Sequence, residues 1–483
     1  MASLKKNIIL NYINTITGII FPIITFPYAS RILNPEGIGI VNFYNSIISY
    51  IVLFTSLGIP LYAVKEVAKY RDDIFKRNKV TVELTLLSLI LCLFGYVIVI
   101  LISIFVPQIN DNIVLFYILS SSVLFNALGI QWFYQGIEDF HFITIRALII
   151  RTLAALSLFI FVKEKNDIIP YALITIGSTV GNNLINFIHL RKYIPYSLIK
   201  EVKIELVYHL KPTIRIFILN VIISIYVQLN TIMLGFIDGD YAVGIYSAGY
   251  KLPHMLLTVV TSMSAVMLPR CSNLIINGKL DEFANVIKKS INLVLMLSLP
   301  LTFGLIILAK PIIYIFCGPS FIDAIPVVCW TSPVILFIAL TNIIGIQILY
   351  PLGKENIVIY STLIGAIVNL ILNIILIPRY STIGASISTF IAELGVLFMQ
   401  VCIGKKYLPT RLFDKHKLLY LIGTIIMCII IIPVIVFIKG YLLQVVISCV
   451  LGSLFYGMYL IIIKDTFIIG IINQLSRNKY GKV

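Results

Sequence analysis

Apolar runs of membrane-spanning length follow one another along this chain, each parted from the next by a short polar connection. A helix needs about 20 apolar residues to cross the hydrocarbon core of a bilayer. The pattern predicts fourteen spans, at residues 8–30, 38–62, 80–105, 113–135, 143–162, 168–190, 212–236, 245–269, 289–315, 326–350, 357–377, 383–403, 418–438 and 444–463. Several contain proline (Pro22, Pro60, Pro300, Pro333), which membrane helices tolerate because neighbouring helices re-satisfy the backbone. The connections are too short to fold alone. The expected fold class is an all-α integral membrane protein of about 14 transmembrane helices.

Composition agrees. At 59% hydrophobic and 12% charged residues, with mean hydropathy +1.02, the chain is no soluble domain. The net charge of +16 would point to nucleic acid in a soluble protein. Here it reads as loop charge, and no nucleic-acid partner is expected. With the N-terminus in the cytoplasm, the inner segments hold 28 Lys and Arg and the outer ones 7, while Arg151 and Arg215 lie within spans. This bias fits the positive-inside rule and places both termini in the cytoplasm. The opening MASLKK and its apolar run resemble a signal peptide, but the run continues past Pro22 and Pro27 without a small-residue cleavage site and is kept as the first span. The seven cysteines form no close pair and read as buried apolar residues; only Cys317 and Cys329, flanking one outer loop, are placed to pair.

Two inner loops show local pattern. Asp72 precedes Lys76 and Asp73 precedes Arg77 at i,i+4, the favourable helical order. Leu198, Val202, Leu206 and Leu210 repeat every four residues, predicting a surface helix ended by Pro212.

The chain also repeats itself. RILNPEGIGIVNFYNS (31–46) and the stretch NTIMLGFIDGDYAVGIYSAGYK (230–251) align with Gly39-Ile40 on Gly244-Ile245. GIQWFY (129–134) in span 4 matches GIQILY (345–350) in span 10. Both matches join spans six apart, so the proposed unit is six spans. The expected lobes are 1–211 and 212–403, with spans 13 and 14 and a tail in 404–483. An even repeat gives both lobes the same orientation, as in parallel-repeat transporters.

Polar residues within spans are where membrane proteins carry function. Asn7, Asn11 and Asn14 share a face of span 1 that Gly18 continues; Asn42, Asn45 and Ser49 share one on span 2. Asn220, Ser224, Gln228 and Thr231 follow on span 7, next to Asn230, and Ser247, Lys251, His254 and Thr258 on span 8. A single such Asn reads as interhelical glue. Four stripes on equivalent spans read as the lining of a hydrated cleft. Arg31, Lys65, Arg215, Lys251 and Arg270 lie at or near the ends of these spans, and Arg146 and Arg151 open span 5. Taken singly, such residues snorkel to the headgroups. Arg31 and Lys251 stand on the outer side, against the charge bias, and in a cleft they would suit a phosphate-bearing substrate. Glu393, inside span 12, is either an ion-coupling site or the partner of an arginine.

Catalytic chemistry is missing. No GxxxxGK[ST] loop occurs, the five histidines lack metal spacing, and Glu138-Asp139 reads as a helix start. Neither an enzyme nor a cofactor or metal is expected.

The motifs PYASRILNPEGIGIVNF (27–43), GIPLYAVKEVAKYRDD (58–73), WFYQGIEDF (132–140), NTIMLGF (230–236), VGIYSAGYKL (243–252) and GASISTFIAELGVL (384–397) resemble the O-antigen-type polysaccharide flippases of the multidrug/oligosaccharidyl-lipid/polysaccharide exporter superfamily. The resemblance implies a MATE-like fold of two pseudo-symmetric six-helix lobes around an alternately opening cavity, plus two C-terminal helices. It implies a bacterial inner-membrane flippase, most simply a monomer, that moves a polyprenyl-pyrophosphate-linked oligosaccharide to the outer leaflet, driven by an ion gradient. A polysaccharide polymerase and other assembly proteins are candidate partners. Cavity cations would hold the pyrophosphate, a role carried onto Arg31, Lys65 and Lys251; Lys65 stands where Arg is expected, and a lysine offers no bidentate fork. The nearest rivals are a multidrug exporter or a lipid II flippase of the same fold. A rival of another class, a membrane glycosyltransferase, would need an acidic or metal site near an outer loop.

Overall fold

The structure, a computed structural model, describes residues 4–194, 204–407 and 416–465. All fourteen predicted spans fall on helix. Among the described residues ten continuous stretches are long and apolar enough to cross a membrane. Two of these carry an internal break that divides each into two helices, and the 32- and 37-residue helices Leu206–Ile237 and Asp240–Ile276 have the length for two more, in keeping with fourteen. The chain divides into two compact units, Met1–Gly244 and Ile245–Val483, with the boundary inside the 230–251 stretch.

The first unit opens with α1, Leu4–Ser56. A straight helix of its 53 residues would run roughly 80 Å, far more than a bilayer needs. Asn34 interrupts it at φ 57° and ψ 179°. Pro35 disfavours the α-region for the residue before it, and asparagine tolerates positive φ, so the sequence places the break. Then come α2 (Ile59–Lys69), α3 (Ile74–Phe105), the short α4 (Pro107–Asn110), α5 (Ile113–Ala127) and α6 (Gln131–Gly136). The helices α7 (Phe140–Phe161), α8 (Ile168–Leu190) and α9 (Leu206–Ile237) complete the unit. Helix α1 packs on α3, α5, α7 and α9. A core of Ile59, Tyr62, Leu84, Leu87, Phe133 and Tyr134 locks α2, α3 and α6 together. Leu93, Phe94 and Phe105 lie on the exposed face of α3, apolar surface suited to lipid.

Local expectations met mixed outcomes. Asp73 caps α3 from outside the helix, accepting from Lys76 N at 3.0 Å and pairing with Lys76 Nζ at 3.0 Å. That backbone bond holds its carboxyl below the usual carboxylate range. Arg77 turns instead to Asn78 Oδ1 at 3.2 Å. Asp139 is the N-cap of α7, as its place at a helix start suggested. Pro212 does not end a helix: α9 runs through it, and Leu206 and Leu210 pack on the core. Residues 195–203, which include Leu198 and Val202, lie outside the described residues, as do 466–483.

The second unit continues from α10 (Asp240–Ile276), which begins in the first, with α11 (Leu280–Ile307), α12 (Ala309–Phe316), α13 (Ala324–Thr331) and α14 (Val334–Asn342). Then follow α15 (Glu355–Gly404), α16 (His416–Phe437) and α17 (Tyr441–Ile462). Helix α15 breaks at Ser381, φ 50°. Both copies of the GIQ motif interrupt regular helix: residues 128–130 separate α5 from α6, and Ile343–Leu349 form a π-helix. Among the described residues the cysteines form no disulfide, and Cys317 and Cys329 are not joined.

Candidate functional site

The repeated hairpin motif carries a close backbone crossing within the first unit. A Cβ on Gly39 would fall onto the Asp240 carbonyl and lie 2.9 Å from Gly244 N. A Cβ on Gly244 would fall onto the Pro35 carbonyl, 2.9 Å from Pro35 Cα. In the aligned repeat Gly39 corresponds to Gly244 and Pro35 to Asp240, so the contact is reciprocal. Only glycine allows two backbones so close. Phe43 fills the space over Gly235, where a Cβ would meet its ring. At this crossing Asp240 is half-buried, and burial, reinforced by the Asp111 carboxylate, raises its carboxyl above the usual range.

The polar faces of α1 have specific partners. Arg151 on α7 donates to Asn14 O at 2.9 Å and Thr17 Oγ1 at 2.7 Å, and its guanidinium lies 3.5 Å from where a Gly18 Cβ would stand. The Asn14–Gly18 face is the seat of this guanidinium. Asn11 is exposed, and its carbonyl accepts from Thr15. Ser46 donates to Asn42 O at 2.8 Å and to Gln228 Oε1 at 3.2 Å, linking the predicted stripes of α1 and α9. Asn45 is exposed and Asn230 buried. The side chains of Asn7, Asn220 and Ser224 lie outside the described residues.

The predicted cations divide. Arg31, Lys65, Arg215 and Arg270 are exposed, while Lys251 is half-buried on α10. Beside it Tyr246, Tyr250 and His254 form a column at helical spacing, with ring centroids 5.7 Å apart at each step. Tyr246 reaches Thr389 Oγ1 at 3.4 Å. Glu393, one turn further along α15, is buried and within electrostatic reach of Tyr250. Arg146 departs from the snorkelling expectation: it is 5% exposed and bonds Asn182 Oδ1 at 3.0 Å and Gln131 Oε1 at 3.2 Å.

One cluster was not foreseen. Glu83 and His209 are 2% and 1% exposed. His209 Nε2 lies 3.0 Å from Glu83 Oε2, and its Nδ1 is 3.0 Å from Tyr62 Oη. Glu205 N donates to Glu83 Oε1 at 2.8 Å, and Lys79 Nζ stands 3.8 Å away. The histidines looked scattered because these partners lie on α2, α3 and α9; the available signal was an acid and an imidazole each near the charged end of a span. Among the described residues no group of three or more His, Cys, Asp or Glu could hold a metal ion.

A family model described as "Polysaccharide biosynthesis protein" matches residues 4–275, more than half of the chain. The chain belongs to this family. A second model, MatE, matches residues 216–375. The chain is 25% identical over 397 residues to a protein of Escherichia coli (strain K12) named "Putative O-antigen transporter", covering 81% of this chain and 94% of that one. The fold matches that of a lipid II flippase, MurJ, in an inward closed conformation: TM-score 0.66 at 17% identity over 89% of this chain and 98% of the other. It also matches an inward-facing multidrug resistance MATE family transporter of the MOP superfamily: TM-score 0.65 at 14% identity over 80% and 93% of the two chains. The family member is thus a multi-pass membrane protein with the MurJ/MATE fold.

Proposed function

We propose that this protein is a flippase that moves a polyprenyl-pyrophosphate-linked oligosaccharide from the inner to the outer leaflet of a bacterial inner membrane, for surface polysaccharide assembly. The observation that carries the proposal is Arg151: its guanidinium lies within apolar helix and is held by a carbonyl and a hydroxyl, and among the described residues no carboxylate pairs with it. Such a cation raises the local positive potential, which favours an anionic head and disfavours cationic drugs. A pyrophosphate-sugar head cannot enter hydrocarbon unaided, because desolvating it is prohibitive. Cations and amides that replace its water remove that barrier, while the polyprenyl tail remains in lipid. Arg31, Lys65, Arg215, Lys251 and Arg270 are the proposed pyrophosphate contacts, Asn11, Asn14, Asn42, Asn45, Gln228, Asn230 and His254 the polar lining, and Glu393 the ion-coupling site. The likeness to a protein named for O-antigen transport supports the glycan lipid as substrate.

The test is export of surface polysaccharide by Arg31→Ala, Lys251→Ala and the double variant, with membrane levels checked. Loss of export at normal protein levels is expected; full export by the double variant would overturn the assignment. Proteoliposomes distinguish the rivals: the protein should move a polyprenyl-pyrophosphate glycan and not a cationic dye, and should not rescue cells lacking lipid II transport.

A further inference from the structure

We infer that the groove between α7 and α8, at the end carrying Arg191 and Lys192, is a binding site for a membrane lipid with a net-anionic phosphate headgroup. It is a cavity of about 600 Å³ within the first unit, a size that holds a headgroup and the start of its chains. One part of its lining is Arg146, Lys192, His141 and His189; the other is Phe142, Ile145, Ile149 and Ile185. Basic side chains and hydrocarbon in one lining match a lipid phosphate with its acyl chain, and basic pockets between transmembrane helices bind such headgroups.

The independent observation is Arg146. Its side chain is more than nine-tenths buried, it lines the cavity, and Nη1 has no hydrogen-bond partner. Native proteins rarely leave a buried charged donor unbonded. Its two hydrogen-bond partners, Asn182 and Gln131, and the Phe142 ring 5.5 Å beneath it are all uncharged, so the charge remains available to an anion. The one acid in the lining, Asp139, is held within the wall: it caps α7 through Phe142 N at 3.1 Å and accepts from Tyr193 Oη at 3.4 Å. The wall is pre-formed. His189 stacks on Phe142 at 4.0 Å, and Tyr134, 3.3 Å from His189 Nδ1, is anchored on Asn186 O at 2.7 Å. A guanidinium and an ammonium in one lining suit a phosphate, the guanidinium contributing a directional fork and the ammonium a point charge. The inference is independent of what the protein transports.

The probes are dioleoylphosphatidylglycerol, dioleoylphosphatidylcholine and polyprenyl diphosphate, added to the full-length protein in detergent while its thermal unfolding is followed. Phosphatidylglycerol should raise the midpoint saturably and phosphatidylcholine should not. Lys192 is exposed, so Lys192→Ala folds, and it should weaken the saturable binding roughly tenfold, as loss of one charge-assisted contact does; Lys192→Arg should retain it. Ile149→Trp, also at an exposed position, fills the groove without altering charge and should abolish the shift, as should Arg146→Gln. If polyprenyl diphosphate displaces phosphatidylglycerol, the site takes the pyrophosphate lipid; if it does not, the site takes ordinary anionic phospholipid. Either supports the site. Binding of phosphatidylglycerol to Lys192→Ala and Ile149→Trp as to wild type, or an equal shift with phosphatidylcholine, would overturn it.

Discussion

The buried Tyr62–His209–Glu83 cluster permits a prediction with a worked magnitude. His209→Phe keeps a planar ring in place but removes both ring-nitrogen contacts, at 3.0 Å to Glu83 and 3.0 Å to Tyr62. Glu83 retains Glu205 N–H at 2.8 Å and Lys79 at 3.8 Å, so it is weakened rather than stranded. Losing a hydrogen bond to a charged group costs about 1.5–3 kcal/mol, and an orphaned hydroxyl about 1–3 kcal/mol. Together these give about 3–5 kcal/mol. For a cooperative unit of 150–250 residues each kcal/mol moves the midpoint by about 2–4 °C, and the first unit ends at Gly244. The expected fall is therefore roughly 6–20 °C, read by far-UV circular dichroism of the detergent-solubilised protein. Adding Tyr62→Phe removes the orphaned hydroxyl, and replacing both partners of a buried hydrogen bond by apolar groups of the same shape is nearly neutral, so the double variant should recover the hydroxyl's share of the loss, about 1–3 kcal/mol. A single variant within about 2 °C of wild type, or a double variant no better than the single, would refute the account.

Two further predictions concern the backbone crossing. Gly39→Ala and Gly244→Ala should each destabilise by about 1–3 kcal/mol, the usual cost of overpacking; once one Cβ has parted the backbones the second should cost less, so a double-mutant cycle on unfolding midpoints should show strong non-additivity. Asp240 carries a carboxyl raised by burial and then by Asp111, so the folded state favours its protonated form. Its unfavourable contribution is absent below the unfolded value of about 4 and grows as pH rises through the folded one. Asp240→Asn should therefore melt above wild type at neutral pH, with the advantage gone below about pH 4, in a melting series across pH.

The spans were legible because hydrocarbon imposes length and apolarity on every crossing segment. Even the break in α1 could be read, since Pro35 restricts Asn34. Pro212 misled because membrane helices carry interior prolines where neighbouring helices re-satisfy the backbone, and Pro212 lies inside α9, beyond its first turn. Within the candidate site, residue type and depth were readable, but direction was not. Arg146 and Arg151 looked like headgroup anchors, and what turned them inward are Asn182, Gln131, Asn14 and Thr17 on other helices. Glu83 and His209 lie 126 residues apart, and no local periodicity reports a contact at that separation.

The glycine crossing also has a consequence in time. The tip at Gly39 has its partner at Gly244, 205 residues later. A ribosome adding ~5–20 residues per second needs ~10–40 s to make that stretch. For that interval the first hairpin is complete but its bare glycine backbone has no matching surface. Synthesis order thus makes residues 31–46 the longest-waiting half of the crossing and the place where a slow ribosome would leave the nascent chain most open to mispairing.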